Sequence, residues 1–135
     1  MQFIKRWLPA ILMMGVIFYF SSIPSNEMPN FGSWDTLVKK SGHMIGYALL
    51  GLTYLRGTNS YRWKSILITL IGVILYAASD EFHQSFVPGR TSTVMDVGID
   101  TIGAIIGQAL VWLEPALRKL IFLVPFVPND KVSEK

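Results

Sequence analysis

The chain has 135 residues, enough for one domain, with 51% hydrophobic residues, 16% charged residues and a net charge of +3. A mean hydropathy of +0.42, set against the roughly 25% charged residues of soluble domains, points to a bilayer protein and away from a water-soluble one. Cysteine is absent, which excludes disulfides, thiolate chemistry and Cys-based zinc sites.

A membrane-crossing helix needs about twenty predominantly apolar residues. The first candidate, "WLPAILMMGVIFYFSS", runs from Trp7 to Ser22 behind Lys5 and Arg6, with Pro9 expected in its first turn. Its basic start and apolar middle also fit a signal peptide. No clean small-x-small cleavage signal follows, so it reads as a retained helix. The Pro-, Asn- and Gly-rich "IPSNEMPNFGSWD" is then a loop. The second segment covers residues 36–56, the third 64–82 and the fourth 93–113, joined by "GTNSYR" and "VPGRTS". Val87-Pro88-Gly89-Arg90 predicts a type II turn. Beyond Trp112, the apolar stretch Leu120 to Val127 is too short to cross and is broken by Pro125. Residues 114–135 therefore read as an interfacial segment and a flexible tail. Trp7, Trp34, Trp63 and Trp112 fall near segment ends, as aromatic belts do.

The expected architecture is a single all-α membrane domain, 1–135, built as a bundle of four transmembrane helices. Nine of the twelve basic residues fall on one side, and Lys39, Lys40 and Arg90 on the other. Basic residues collect in the cytoplasm, so both termini are expected there. The predicted location is a bacterial plasma membrane, crossed several times. The basic residues are dispersed at helix ends, and neither a Walker loop nor a nucleotide fingerprint occurs, so no nucleic-acid partner is expected.

Residues three or four apart share a helix face. Lys40, His43, Tyr47, Gly51 and Tyr54 form such a stripe on the second segment. Tyr76, Asp80, His83 and Gln84 form one on the third, and Asp96, Asp100, Gly103 and Gly107 one on the fourth. A bare charge near the bilayer centre costs at least ~3 kcal/mol, so the three stripes are expected to turn inward onto a shared pocket. That pocket would be shallow, with Asp100 one turn, about 6 Å, below Asp96. Glu81 lies about 100° round from Asp80 and need not face it. Gly103 and Gly107, in "GAIIG", permit close helix approach.

Two blocks carry a family resemblance. "KSGHMIGYALLG", Lys40 to Gly51, fits K-x-x-H-x-x-x-Y-x-x-x-G. "SDEFHQSFVPGRTSTVMDVGIDTIGAIIG", Ser79 to Gly107, fits D-E-x-H-Q-x-F-x-P-G-R followed by spaced Asp and Gly residues. Together they resemble the VanZ-like family of small bacterial membrane proteins, named for a member linked to low-level resistance to the glycopeptide teicoplanin. The resemblance implies a cell-envelope context and supplies no reaction. Lys39 and Gly46 stand where relatives often carry Asp and Glu, so roles for those two acids do not carry over.

The chemistry then rests on the residues. His43, Asp80, His83 and Asp100 are the candidate catalytic groups, a carboxylate orienting an imidazole that moves a proton. Lys40, Tyr47, Glu81, Gln84, Arg90 and Asp96 are the candidate ligand-binding groups, with Lys40 or Arg90 holding an anionic group such as a phosphate. The expected function is to bind or modify an envelope ligand, an anionic lipid or a lipid-linked or cell-wall precursor, at an outward-facing pocket. Whether the protein is an enzyme stays open. A non-catalytic antibiotic-protection protein would use the same pocket for recognition alone. A small proton-coupled transporter would need a homo-oligomer, since no internal repeat is evident. A purely structural alternative is a buried polar network locking three helices. For Asp96 it is a capping role with Thr93, and for Arg90 a pairing with Glu81. Two His and several carboxylates are able to bind zinc or manganese, but no H-E-x-x-H-type spacing occurs, so no metal site is assigned, and the sequence names no cofactor.

Overall fold

A computed structural model describes residues 2–121. Among them the chain folds as α1 (Gln2–Ser21), α2 (Asp35–Thr58), α3 (Trp63–Gln84), α4 (Val94–Leu113) and the short α5 (Pro115–Ile121). Two 3-10 turns, Ser25–Glu27 and Gly32–Trp34, shape the α1–α2 loop. The described residues contain no strand. The first residues of the expected interfacial stretch close α5, and the rest of that stretch, with the polar tail, lies outside the described residues.

Helix ends follow local chemistry. α2 stops at Asn59, which adopts the left-handed conformation (φ 53°) that Asn tolerates and that ends helices. α4 begins behind Thr93, whose hydroxyl accepts the Asp96 amide as an N-cap. α1 starts five residues before the expected boundary. Pro9 is therefore inside the helix, where it removes one backbone hydrogen bond, and not in the first turn, where it would remove none.

Three of these helices are long and apolar enough to cross a membrane: Phe3–Ser21, Trp63–Gln84 and Val94–Leu113. The long apolar helices make this a membrane protein. α2 differs. It has 24 residues but carries Asp35, Lys39, Lys40, His43 and Arg56. Its position offsets that polarity, because it packs against α1, α3 and α4 alike. Ile17, Tyr47, Leu50, Val73, Ala77 and Ala104 form the core between the four helices. Outward faces remain apolar, with Leu8, Ile11, Ile68, Leu75, Ile105 and Leu110 exposed, as a hydrocarbon environment requires. Deeper in the bundle, buried Gln108 donates to Thr69 Oγ1 at 2.9 Å, joining α4 to α3.

The closest approach is between α2 and α4. A Cβ on Gly103 would lie 2.2 Å from the Met44 carbonyl oxygen, and one on Gly107 2.6 Å from that of Ala48. The two glycines of "GAIIG" thus let the backbones touch, which in lipid replaces the missing hydrophobic drive with dispersion contact. Gly103→Ala is expected to cost about 1–3 kcal/mol by overpacking. Gly98→Ala, on the same helix with nothing within 4 Å of its Cβ, is expected to be neutral or to gain up to ~1 kcal/mol from helix propensity. Unfolding of the detergent-solubilised variants by titrated denaturing detergent measures both.

Candidate functional site

The polar residues gather at the α1–α2 loop end of the bundle. A pocket of about 160 Å³ is lined from α2 by Lys40 and His43, from α3 by Glu81 and Gln84, and from α4 by Asp96 and Asp100, with Arg90 entering from the α3–α4 turn. Seven of the ten residues expected at a site therefore meet there. Asp35 and Lys39, not anticipated, add a 2.7 Å ion pair at its rim.

The α3–α4 turn forms as its residues dictate. The Arg90 amide donates to the Val87 carbonyl at 3.2 Å, and Gly89 takes the positive φ, 73°, that a type II turn requires. Ser25 in the α1–α2 loop donates its amide to the Pro88 carbonyl, so the two loops close over the pocket together. The Arg90 guanidinium reaches the Met28 sulfur at 2.9 Å through Nη1. Its Nε is buried without a partner. Among the described residues Arg90 has no carboxylate within ion-pair distance, so the expected alternative of an Arg90–Glu81 pair does not form. Lys40 is committed to Asp96 at 2.8 Å.

Glu81 is 4% exposed and faces α4. Its Oε2 accepts the Thr93 amide at 3.2 Å, and its backbone carbonyl accepts the Ser92 hydroxyl. It thereby closes the N-cap of α4 from a neighbouring helix. Asp96 fills the capping role expected of it and the Lys40 pair at once.

Apart from Gln84, the stripe on α3 turns away from the pocket. Asp80, 2% exposed, lies behind the pocket. Its Oδ2 accepts three hydrogen bonds, from Ser21 (2.8 Å), Tyr47 (3.1 Å) and Gln84 (3.1 Å). Tyr76 donates to the Met14 carbonyl of α1. His83 stacks on Phe18 at 4.5 Å and meets Ser22 Oγ at 3.0 Å. The Ser22 hydroxyl hydrogen is spent on the Phe18 carbonyl, so His83 Nε2 is the donor. His83 thus faces α1 and lines no part of the pocket. This differs from the expectation of a stripe pointing at α2 and α4. The reason is α1, which packs over the C-terminal end of α3. At that end of α1 its polar signal is a pair of serines, Ser21 and Ser22.

The deepest pair is His43 and Asp100. His43 Nδ1 lies 3.4 Å from Asp100 Oδ1, without hydrogen-bond alignment. Nδ1 and both Asp100 carboxylate oxygens are buried with no hydrogen-bond partner. Donor atoms of His43, Glu81 and Asp100 lie within 4.8 Å of one another, and these are the described residues that could together hold a metal ion.

A second cavity adjoins the first. It is an apolar groove of about 470 Å³ between α1 and α2, lined by Met13, Val16, Ile17, Phe20, Ile45 and Gly46 among others. Tyr47 lines it, whereas Lys39, His43 and Arg90 line both cavities. Gly42 and Gly46 keep it open: a Cβ on Gly42 would meet nothing within 4 Å.

The Asp80 node sets a stability order. Tyr47→Phe removes one of three donors and is expected to cost about 1 kcal/mol. Asp80→Leu strands all three and is expected to cost about 3 kcal/mol or more. His83→Gln is expected to cost less than either. Thermal denaturation of the three variants in one detergent checks the order.

No curated protein and no solved structure matches the chain. The family model VanZ/LLP1 matches residues 6–121, which takes in all five helices apart from the first turn of α1. With both blocks of spaced polar residues inside that match, the chain belongs to the VanZ/LLP1 family.

Proposed function

We propose that this protein binds the anionic headgroup of a lipid-anchored cell-envelope component, with the headgroup in the polar pocket and the chain in the α1–α2 groove. The observation that carries this reading is the junction of the two cavities at Lys39, His43 and Arg90. An amphiphile needs a charged site and an apolar one side by side, and these two share three residues. Of the three, Lys39 is already paired to Asp35. Arg90 has no such partner and presents a fork of donors that suits phosphate or carboxylate oxygens. The groove lies in the size range of small-molecule sites.

In this reading α2 crosses the membrane as a fourth span, shielded by the three apolar helices around it. Both termini are cytoplasmic and the pocket opens on the outer face of the plasma membrane. The asymmetry of nine basic residues against three supports that orientation. Such a site serves either recognition or modification of the ligand, and both fit a family with a link to glycopeptide resistance.

The test is native mass spectrometry of the solubilised protein with a polyprenyl phosphate beside the matching polyprenol. The phosphate is expected to bind at least ~10-fold more tightly, about 1.4 kcal/mol. Arg90→Gln is expected to erase that preference. Gly42→Phe, which fills the groove, is expected to weaken both lipids. Equal binding of phosphate and alcohol, or an Arg90→Gln variant that still discriminates, would sink the reading.

A further inference from the structure

We infer that the pocket is a divalent transition-metal site, with His43 from α2, Glu81 from α3 and Asp100 from α4 as its protein ligands. Donor atoms from the three residues already lie within 4.8 Å of one another. A cation with ligand distances of about 2.0–2.2 Å holds tetrahedral donors roughly 3.3–3.6 Å apart; His43 Nδ1 and Asp100 Oδ1 already stand 3.4 Å apart, so an inward shift of Glu81 closes the shell.

Unsatisfied groups point the same way. Asp100 is completely buried, yet neither of its carboxylate oxygens has a hydrogen-bond partner. A buried carboxylate left in that condition costs more than any ordinary core feature repays. The neighbouring His43 Nδ1 is buried and unpartnered too. Glu81 has committed Oε2 to the Thr93 amide, and its side chain lines the same pocket as His43 and Asp100.

Charge bookkeeping agrees. Asp96 is neutralised by Lys40 and Asp35 by Lys39. Asp80, Glu81 and Asp100 then remain against Arg90 and one imidazole, with no Lys or Arg in ion-pair range of any of the three among the described residues. A dication offsets this surplus without protonating an acid. The donor set selects its class: the imidazole nitrogen suits Zn²⁺, the two carboxylates also admit Mn²⁺, and Ca²⁺ and Mg²⁺ prefer oxygen alone. A cation there would stand beside Arg90, so an anionic oxygen could bridge the two.

Because the ligands come one from each of three helices, no local spacing announces them. The sequence offers no H-E-x-x-H-type signal, and His43, Glu81 and Asp100 are separated by 38 and 19 positions.

The protein, solubilised and stripped with a chelator, is titrated with Mn²⁺ and separately with Zn²⁺ in the absence of added lipid. One ion per chain is expected for at least one of the two. Asp100→Asn, Glu81→Gln and His43→Gln are each expected to lower affinity at least ~10-fold, while His83→Gln, outside the pocket, retains the wild-type value. If Mn²⁺ binds, electron spin-echo spectra are expected to show coupling to a ligand nitrogen that vanishes in His43→Gln. Circular dichroism reports which variants fold. If Asp100→Asn does not, the other two carry the test. Absence of saturable binding below about 1 mM, or undiminished binding in folded Glu81→Gln and His43→Gln, overturns the site. So does binding of Mg²⁺ or Ca²⁺ alone with His43→Gln unaffected. The site goes beyond the lipid reading and is titrated without lipid, so either can fail while the other stands.

Discussion

One buried carboxylate organises the pocket half of this bundle. Asp80 sits on α3, yet its three hydrogen-bond donors come from α1, α2 and α3 itself. Lipid offers no water to satisfy a charge, so Asp80 is stable only where several donors converge. That requirement fixes the rotation of α3, brings Ser21 at the end of α1 against it, and holds the Tyr47 ring in the core. Once α3 is so rotated, Glu81, about 100° further round, has to face α4. The pocket is thus a consequence of satisfying a residue that does not line it.

The contact of α2 with α4 supplies the second constraint. Gly103 and Gly107 let the two backbones meet, and close approach draws His43 and Asp100 to 3.4 Å. Polar α2 is the inner helix and the apolar helices surround it. The arrangement inverts the usual soluble bundle, where apolar faces turn inward. It gives Lys40 and His43 of α2 carboxylate neighbours on α4 in place of lipid.

Much of this was legible in the residues. Apolar run length placed all four long helices, and boundaries moved most where charge masks the pattern, at the basic start of α1. Three-and-four spacing put Lys40 and His43 on one face and Asp96 and Asp100 on another. The small-residue pattern marked where those faces meet. What spacing could not settle was which neighbour each face would find. Asp80 and His83 share a face as expected, but that face meets α1, whose own sequence shows little beyond two serines. Glu81 was set apart by its angle, and that angle carries it into the pocket. Gln108, which ties α4 to α3, is a lone amide in an apolar helix and stands outside any stripe. Its role comes only from the hydroxyl of Thr69 across the interface.

Glu81 divides its carboxylate between two tasks. One oxygen holds the Thr93 amide, an otherwise orphaned donor at the start of α4, while the same side chain lines the pocket. Whatever draws on that carboxylate from the pocket shifts charge away from the cap oxygen. The amide of Thr93 is therefore a built-in reporter: its hydrogen-exchange rate and its nitrogen chemical shift register the state of a cavity it does not touch.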